Sequence, residues 1–137
     1  MKIILDTNIL ISALRSKIGA SYKVLSLIQS GKFQTVVSVP LVFEYEEVAL
    51  REAKNFSVTI EEVNDIIDYL CAMSEQREIF FLWRPFLPDP YDDAILELAV
   101  ESQAEYIVTY NKRDFVGSEQ FGVSIISPKE FLKIIGE

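Results

Sequence analysis

The chain has no histidine among its 137 residues. That absence removes every mechanism that depends on an imidazole base, the serine and cysteine triads included, and the common catalytic zinc sites. Cys71 is its single cysteine, so no disulfide can form within the chain, and a reducing cytoplasmic setting is the expectation. Cys71 falls in the apolar pattern of an expected helix and reads as an inert, buried thiol. Glycine and proline number five each, too few for a linker, a fibrous repeat or a disordered tract. No apolar run approaches the ~18 residues of a membrane span. The N-terminal stretch KIILDTNILISAL is broken by Asp6 and Asn8 and has neither a basic lead nor a small-residue cleavage site, so it does not read as a signal peptide. Positive charge is scarce too: 13 basic against 21 acidic residues give a net charge of −8. A general nucleic-acid binder presents a basic face. An acidic chain meets phosphates only if its acids gather at one place and are held by divalent cations.

What is present is a 50% hydrophobic content, enough for one globular domain over residues 1–137 with a full core. Short β-branched runs alternate with longer helical patterns. Lys2–Leu5, Thr35–Ser38, Ile79–Leu82, Tyr106–Thr109 and Val123–Ile126 read as strands. Helices are expected over Asn8–Arg15, over Ala20–Ser30 with Gly31 as its stop, and from Pro40 to about Glu52. A further helix follows the Thr59/Glu62 capping pattern to about Gln76. Asp89 as N-cap and Pro90 at the first position lead another to about Gln103, and Ser127-Pro128-Lys129-Glu130 starts the last. Strands separated by helices imply parallel pairing, hence an α/β fold: a three-layer α/β/α sandwich around a mostly parallel sheet of about five strands.

In such folds ligands sit beyond the carboxyl ends of the strands, and acids recur there from separate segments. Asp6 ends the first strand, where burial is costly unless it is paired or holds a metal; it also suits a helix N-cap. Glu44 borders the apolar stripe of the third helix, whereas Glu46 and Glu47 read as solvated. Asp89 and Asp92 are accounted for as N-cap and capping partner, which leaves Asp93 as the unexplained acid of its helix. Asn111 and Asp114 follow the fourth strand in a polar loop with Lys112 and Arg113. Carboxylates without histidine form an oxygen-only donor set, which selects Mg²⁺ or Mn²⁺ over zinc.

Four segments carry a resemblance: ILDTNIL at the start, SVPLVFEYEEV around Glu44, DPYDDAILELA around Asp93, and AEYIVTYNKRDF near the end. Together, in this order, they resemble the PIN domains, and among these the VapC-type toxin ribonucleases and their close relatives. The resemblance implies endoribonuclease activity with one or two Mg²⁺ or Mn²⁺ ions, and Asp6, Glu44, Asp93 and Asp114 as metal-holding, catalytic acids. Many relatives carry an aspartate where this chain has Asn111, which turns the fourth role to Asp114. Thr7, Asn8, Asp92, Thr109 and Asn111 read as supporting polar positions, and Lys112 and Arg113, beside the acids, read either as contacts to RNA phosphates or as solvated loop charges. A homodimer, a small antitoxin partner and no membrane association complete what it implies. The competing readings are an aspartyl phosphatase, which would want a second aspartate where Asn8 stands, a receiver domain, which would need an acidic pair at the first strand, a housekeeping RNA-processing nuclease and a non-catalytic module of the same fold. A non-catalytic module gains nothing from a self-repelling acidic cluster.

Overall fold

Residues 1–80 and 85–137 are described by the computed structural model. Strand β1, Lys2–Leu5, buries Ile3, Ile4 and Leu5, so both of its faces are covered, as a central parallel strand requires. Asp6 then leaves the strand and caps helix α1, Thr7–Arg15. Helix α2, Ala20–Ser26, is shorter than its apolar pattern. After Leu27 the backbone tightens into a 3₁₀ turn at Ile28–Ser30 and stops at Gly31, whose φ of 80° suits a residue without a β-carbon. Strand β2 is Gln34–Val37, and Ser38 caps α3, Val39–Glu52, with Pro40 in its first turn.

Helix α4, Ile60–Met73, carries a complete Thr59/Glu62 capping box and ends at Ser74, short of Gln76. The chain pairs with β2 immediately, as the two-residue strand β3, Glu75–Gln76. The strand expected at Ile79–Leu82 is therefore displaced. Ile79 and Phe80 are not in a strand, and residues 81–82 lie outside the described residues. The cause is the helix stop: Glu75 falls opposite Val36, and Arg77 N–H donates to the Val37 carbonyl at 2.9 Å. Glu75 is flanked by Lys2 and Arg77, so the edge is short and charged, which discourages pairing with other chains.

Helix α5, Pro90–Ser102, starts at the Asp89 cap and buries the whole run from Ile95 to Ala99. It packs against β1, β4 and β2 as well as α3. Strands β4, Tyr106–Val108, and β5, Ser124–Ile126, and helix α6, Pro128–Ile134, complete the order, α6 with its own Ser127/Glu130 capping box. All four strand pairs are parallel, in the order β3-β2-β1-β4-β5. The result is the three-layer α/β/α architecture. Among the described residues no helix is long and apolar enough to cross a membrane.

The strand order places the site. From β1 the chain proceeds to β2 on one side, and from β4 to β5 on the other. Right-handed crossovers then send the two connections to opposite faces of the sheet, and a crevice opens between the carboxyl ends of β1 and β4.

Candidate active site

Thr109, directly after β4, is fully buried and organises the crevice. Its hydroxyl donates to Asp6 Oδ2 at 2.7 Å and accepts from Asn8 Nδ2 at 3.3 Å and from the Asn111 amide at 3.0 Å. One donor and two lone pairs are thus all engaged. Asp6 Oδ1 takes the Thr7 amide at 2.8 Å, so both carboxylate oxygens are held and their direction is set by two segments about a hundred residues apart. The Tyr45 hydroxyl donates to the Leu5 carbonyl, pinning α3, and with it Glu44, to the end of β1.

Around this centre lies a cavity of about 790 Å³ whose wall includes the carboxylates of Asp6, Glu44, Asp89, Asp92 and Asp114, with Thr7, Asn8 and Asn111. The acids arrive from the end of β1, from α3, from the start of α5 and from the 3₁₀ turn Lys112–Phe115. In that turn the fully buried Phe115 ring anchors the exposed Asp114.

Electrostatics bear the mark of this crowding. Burial raises the Asp6 carboxyl above the ordinary aspartate range; the hydrogen bonds from Thr109 and Thr7 oppose it, and Asp114 and Asp89 add to it. Burial likewise raises Glu44, opposed by Thr7 and reinforced by Asp6, Asp89 and Glu47. The largest effect falls on Asp92, pushed up to about 7 by burial and then by Asp6, Asp89, Asp114 and Glu44.

Asp93 does not join these acids. Its carboxylate turns to the loop ahead of α5, accepting from the Leu87 amide at 2.8 Å and the Phe86 amide at 3.2 Å, and it borders a separate cavity of about 220 Å³. Successive helical residues point roughly 100° apart, so Asp92 and Asp93 cannot both face the crevice. The loop's unpaired amides claim Asp93, and Asp92 takes the place expected of it. Asp89 is also more than a cap: its Oδ1 accepts from the Tyr91 amide at 2.9 Å while the side chain lines the cavity. The i, i+3 spacing of Asp89 and Asp92 was the sequence signal for a shared face. Lys112 is engaged by Glu130 and, with Arg113, lines an adjoining groove rather than the acid cavity itself. Among the described residues, Arg15 is the cation that does border the cavity, 5.0 Å from the centre of the Phe56 ring.

The donor set suits a hard divalent cation, being oxygen throughout. Among the described residues no three carboxylates stand close enough to grip an ion directly, so the fit is to a cation that keeps several of its waters, as Mg²⁺ does. The Thr7 hydroxyl is buried without a completed hydrogen bond, near enough to Glu44 to favour its charged form. An unsatisfied buried hydroxyl beside a carboxylate is a group that a hydrated ion can engage.

A family model for the PIN domain matches residues 2–113. Among solved structures, the chain is similar to one in the crystal structure of VapBC2 from Rickettsia felis bound to a DNA fragment from their promoter. The TM-score is 0.61 at 17% identity, over 93% of this chain and 98% of that chain. At that identity the likeness speaks to the fold. No curated protein matches the chain in sequence. The family match runs from β1 into the turn after β4, taking in most of the acid cavity, and the chain belongs to the PIN-domain family, whose members are generally nucleases.

Proposed function

We propose that the chain is an endoribonuclease dependent on Mg²⁺ or Mn²⁺, with Asp6, Glu44, Asp92 and Asp114 as its principal acids and Asp89 as an accessory one. The observation that carries this is the convergence of carboxylates from four separate segments on one cavity in a chain without histidine. Such a cluster opposes folding by mutual repulsion unless cations compensate it. A bound divalent ion supplies Lewis-acid polarisation of a phosphate and a water acidic enough to attack it near neutral pH.

The protein's own part is positioning and proton handling. Thr109 and the Thr7 amide aim Asp6, and Tyr45 sets the depth of Glu44. Asp92 faces the same cavity, where its carboxylate would accept a proton when water attacks the phosphate. Asn111, where relatives resembling this chain carry an aspartate, contributes a neutral contact to the same wall.

Cleavage of a fluorescent single-stranded RNA, with Mg²⁺ and then with excess EDTA, tests this reading. We expect chelation to abolish cleavage and Asp6→Asn to lower it by about a hundredfold or more, in line with loss of a ligand-holding acid. Undiminished cleavage in EDTA refutes the metal-dependent mechanism. The similarity to a chain of the VapBC2 complex supports a toxin role with a small antitoxin partner. A homodimer belongs to the same reading, supported by the exposed Val39 and Phe43, one turn apart on α3. Light scattering that finds a strict monomer refutes the dimer.

A further inference from the structure

Tyr110 is oriented against the habit of its residue type. Tyrosine usually buries its ring and offers its hydroxyl to water. Here the residue is 49% exposed while its hydroxyl turns inward, 2.7 Å from Oγ of the fully buried Ser21 and 3.4 Å from Ser12 Oγ, which donates to it. The other end is held too, by the Tyr110 amide donating to Asn8 Oδ1 at 3.4 Å. Asn8 in turn contacts Asp6 and Thr109, so the ring is rigidly referenced to the acid cluster. Among the described residues no aromatic ring or guanidinium stacks on it.

Its place in the surface gives the ring a use. Tyr110 and Asn111 line both the acid cavity of about 790 Å³ and a neighbouring groove of about 400 Å³ that contains Thr109, Lys112, Arg113 and Ser127. The groove therefore runs into the cavity past the Tyr110 ring. Lys112 is occupied by Glu130, whereas Arg113 forms no ion pair among the described residues. A free cation, then an exposed and immobilised π face, then a carboxylate cavity follow one another along a continuous depression. Single strands are held in this way, by cations on the backbone and aromatic faces under unstacked bases. Because the ring is already fixed, stacking does not have to immobilise it.

We propose that Tyr110 is a stacking platform for one unpaired base of a single-stranded RNA, whose backbone passes from the Arg113 groove into the carboxylate cavity. This rests on the ribonuclease reading and deepens it, since a base locked in a duplex cannot present its face to the ring.

The test is binding of a fluorescent oligo(A) decamer, followed by anisotropy with Ca²⁺ in place of Mg²⁺ to limit cleavage. It is paired with a sugar–phosphate decamer of equal charge that lacks bases, and with cleavage of oligo(A) in Mg²⁺. Loss of one stacked base costs on the order of tenfold to a hundredfold in affinity. Tyr110→Leu is expected to weaken oligo(A) by about that much and to leave the base-free decamer unchanged, while Tyr110→Phe, which keeps the ring but loses its hydroxyl anchor, weakens oligo(A) only severalfold. Equal loss on both decamers, or none on either, while the parent still binds and cuts oligo(A), overturns the platform and leaves the nuclease reading standing. A parent protein that neither binds nor cuts oligo(A) brings down both. Should Tyr110→Leu melt well below the parent, Ser21→Ala is read instead, because it frees the hydroxyl and keeps the ring. A severalfold loss confined to oligo(A) then supports the platform, and no loss overturns it.

Discussion

Asp92→Asn probes the crowding of the acid cavity most directly. Burial and four neighbouring acids raise the Asp92 carboxyl from 3.8 to about 7 in the folded protein. In the unfolded chain it titrates near the ordinary value. Between about pH 4 and pH 7 the folded, metal-free protein therefore keeps a proton that the unfolded chain has lost, and stability falls as pH rises through that window. The contribution is fully present below about pH 4 and gone above about pH 7. A difference of about three pH units, at about 1.4 kcal/mol each, sets a ceiling of about 4 kcal/mol. Asp92 is partly open to water, and solvent screening brings the expectation to about 1–2 kcal/mol. Asparagine resembles the protonated acid and does not titrate. In EDTA, Asp92→Asn should match the parent near pH 4.5 and exceed its stability by about 1–2 kcal/mol at pH 8. Added Mg²⁺ should raise the unfolding midpoint of the parent at pH 8 and that of the variant much less, since the gain tracks affinity for the folded state. Urea unfolding at the two pH values, with and without Mg²⁺, reads all of this. An Asp92→Asn protein no more stable than the parent at pH 8 in EDTA would refute the reasoning, because Asp92 would then be an ordinary solvated acid.

The neighbouring acid behaves in the opposite sense. Asp93→Ala abandons the Phe86 and Leu87 amides and should cost about 1–3 kcal/mol, while the Mg²⁺-dependent rise in melting temperature survives. Urea unfolding and a Mg²⁺ melting series check it, and a stable variant that no longer responds to Mg²⁺ would return Asp93 to the site. Thr7→Val removes a buried hydroxyl that has no completed hydrogen bond. In EDTA it should be neutral or up to about 1 kcal/mol stabilising, with a smaller response to Mg²⁺. A loss of more than about 1 kcal/mol in EDTA would mean that the hydroxyl is satisfied in the folded protein.

Much of the fold was legible because its signals are local. Pro40, Thr59 with Glu62 and Ser127 with Glu130 each start a helix within four residues of chain, and each does so in the structure, where Ser38, read as the end of a strand, proves to be the cap ahead of Pro40. Strand β1 announced itself through three successive apolar residues followed by an acid. The misreadings occurred where the deciding partner is distant or where the pattern has no phase. Helix α5 is buried from Ile95 through Ala99, so its hydrophobic residues do not say which side is which, and the choice between Asp92 and Asp93 fell to a loop that folds back on the helix. Strand β3 is positioned by its pairing to Val36 and Val37, nearly forty residues earlier, and its own two residues, Glu75 and Gln76, lack any strand character. Tyr110 gave no sign in the sequence, since its meaning depends on Ser21 of the distant helix α2.

The position of β4 in the sheet has a consequence for the order in which the molecule comes into being during synthesis. The first of the acids is in place at Asp6, and β1 finds β2 early, yet the opposite edge of β1 stays open until Tyr106–Val108 are made and dock there. Until then the Asp6 carboxylate lacks the Thr109 hydroxyl, and Asp114 does not yet exist in the chain. A nascent polypeptide that has already acquired Asp6, Glu44, Asp89 and Asp92 thus carries the ingredients of the cavity without its geometry. Domains complete their folding as units, and here completion waits for a strand that enters beside the oldest one. Any activity hosted in this cavity is deferred until β4 and the turn that carries Asp114 have been made and have closed over the end of β1.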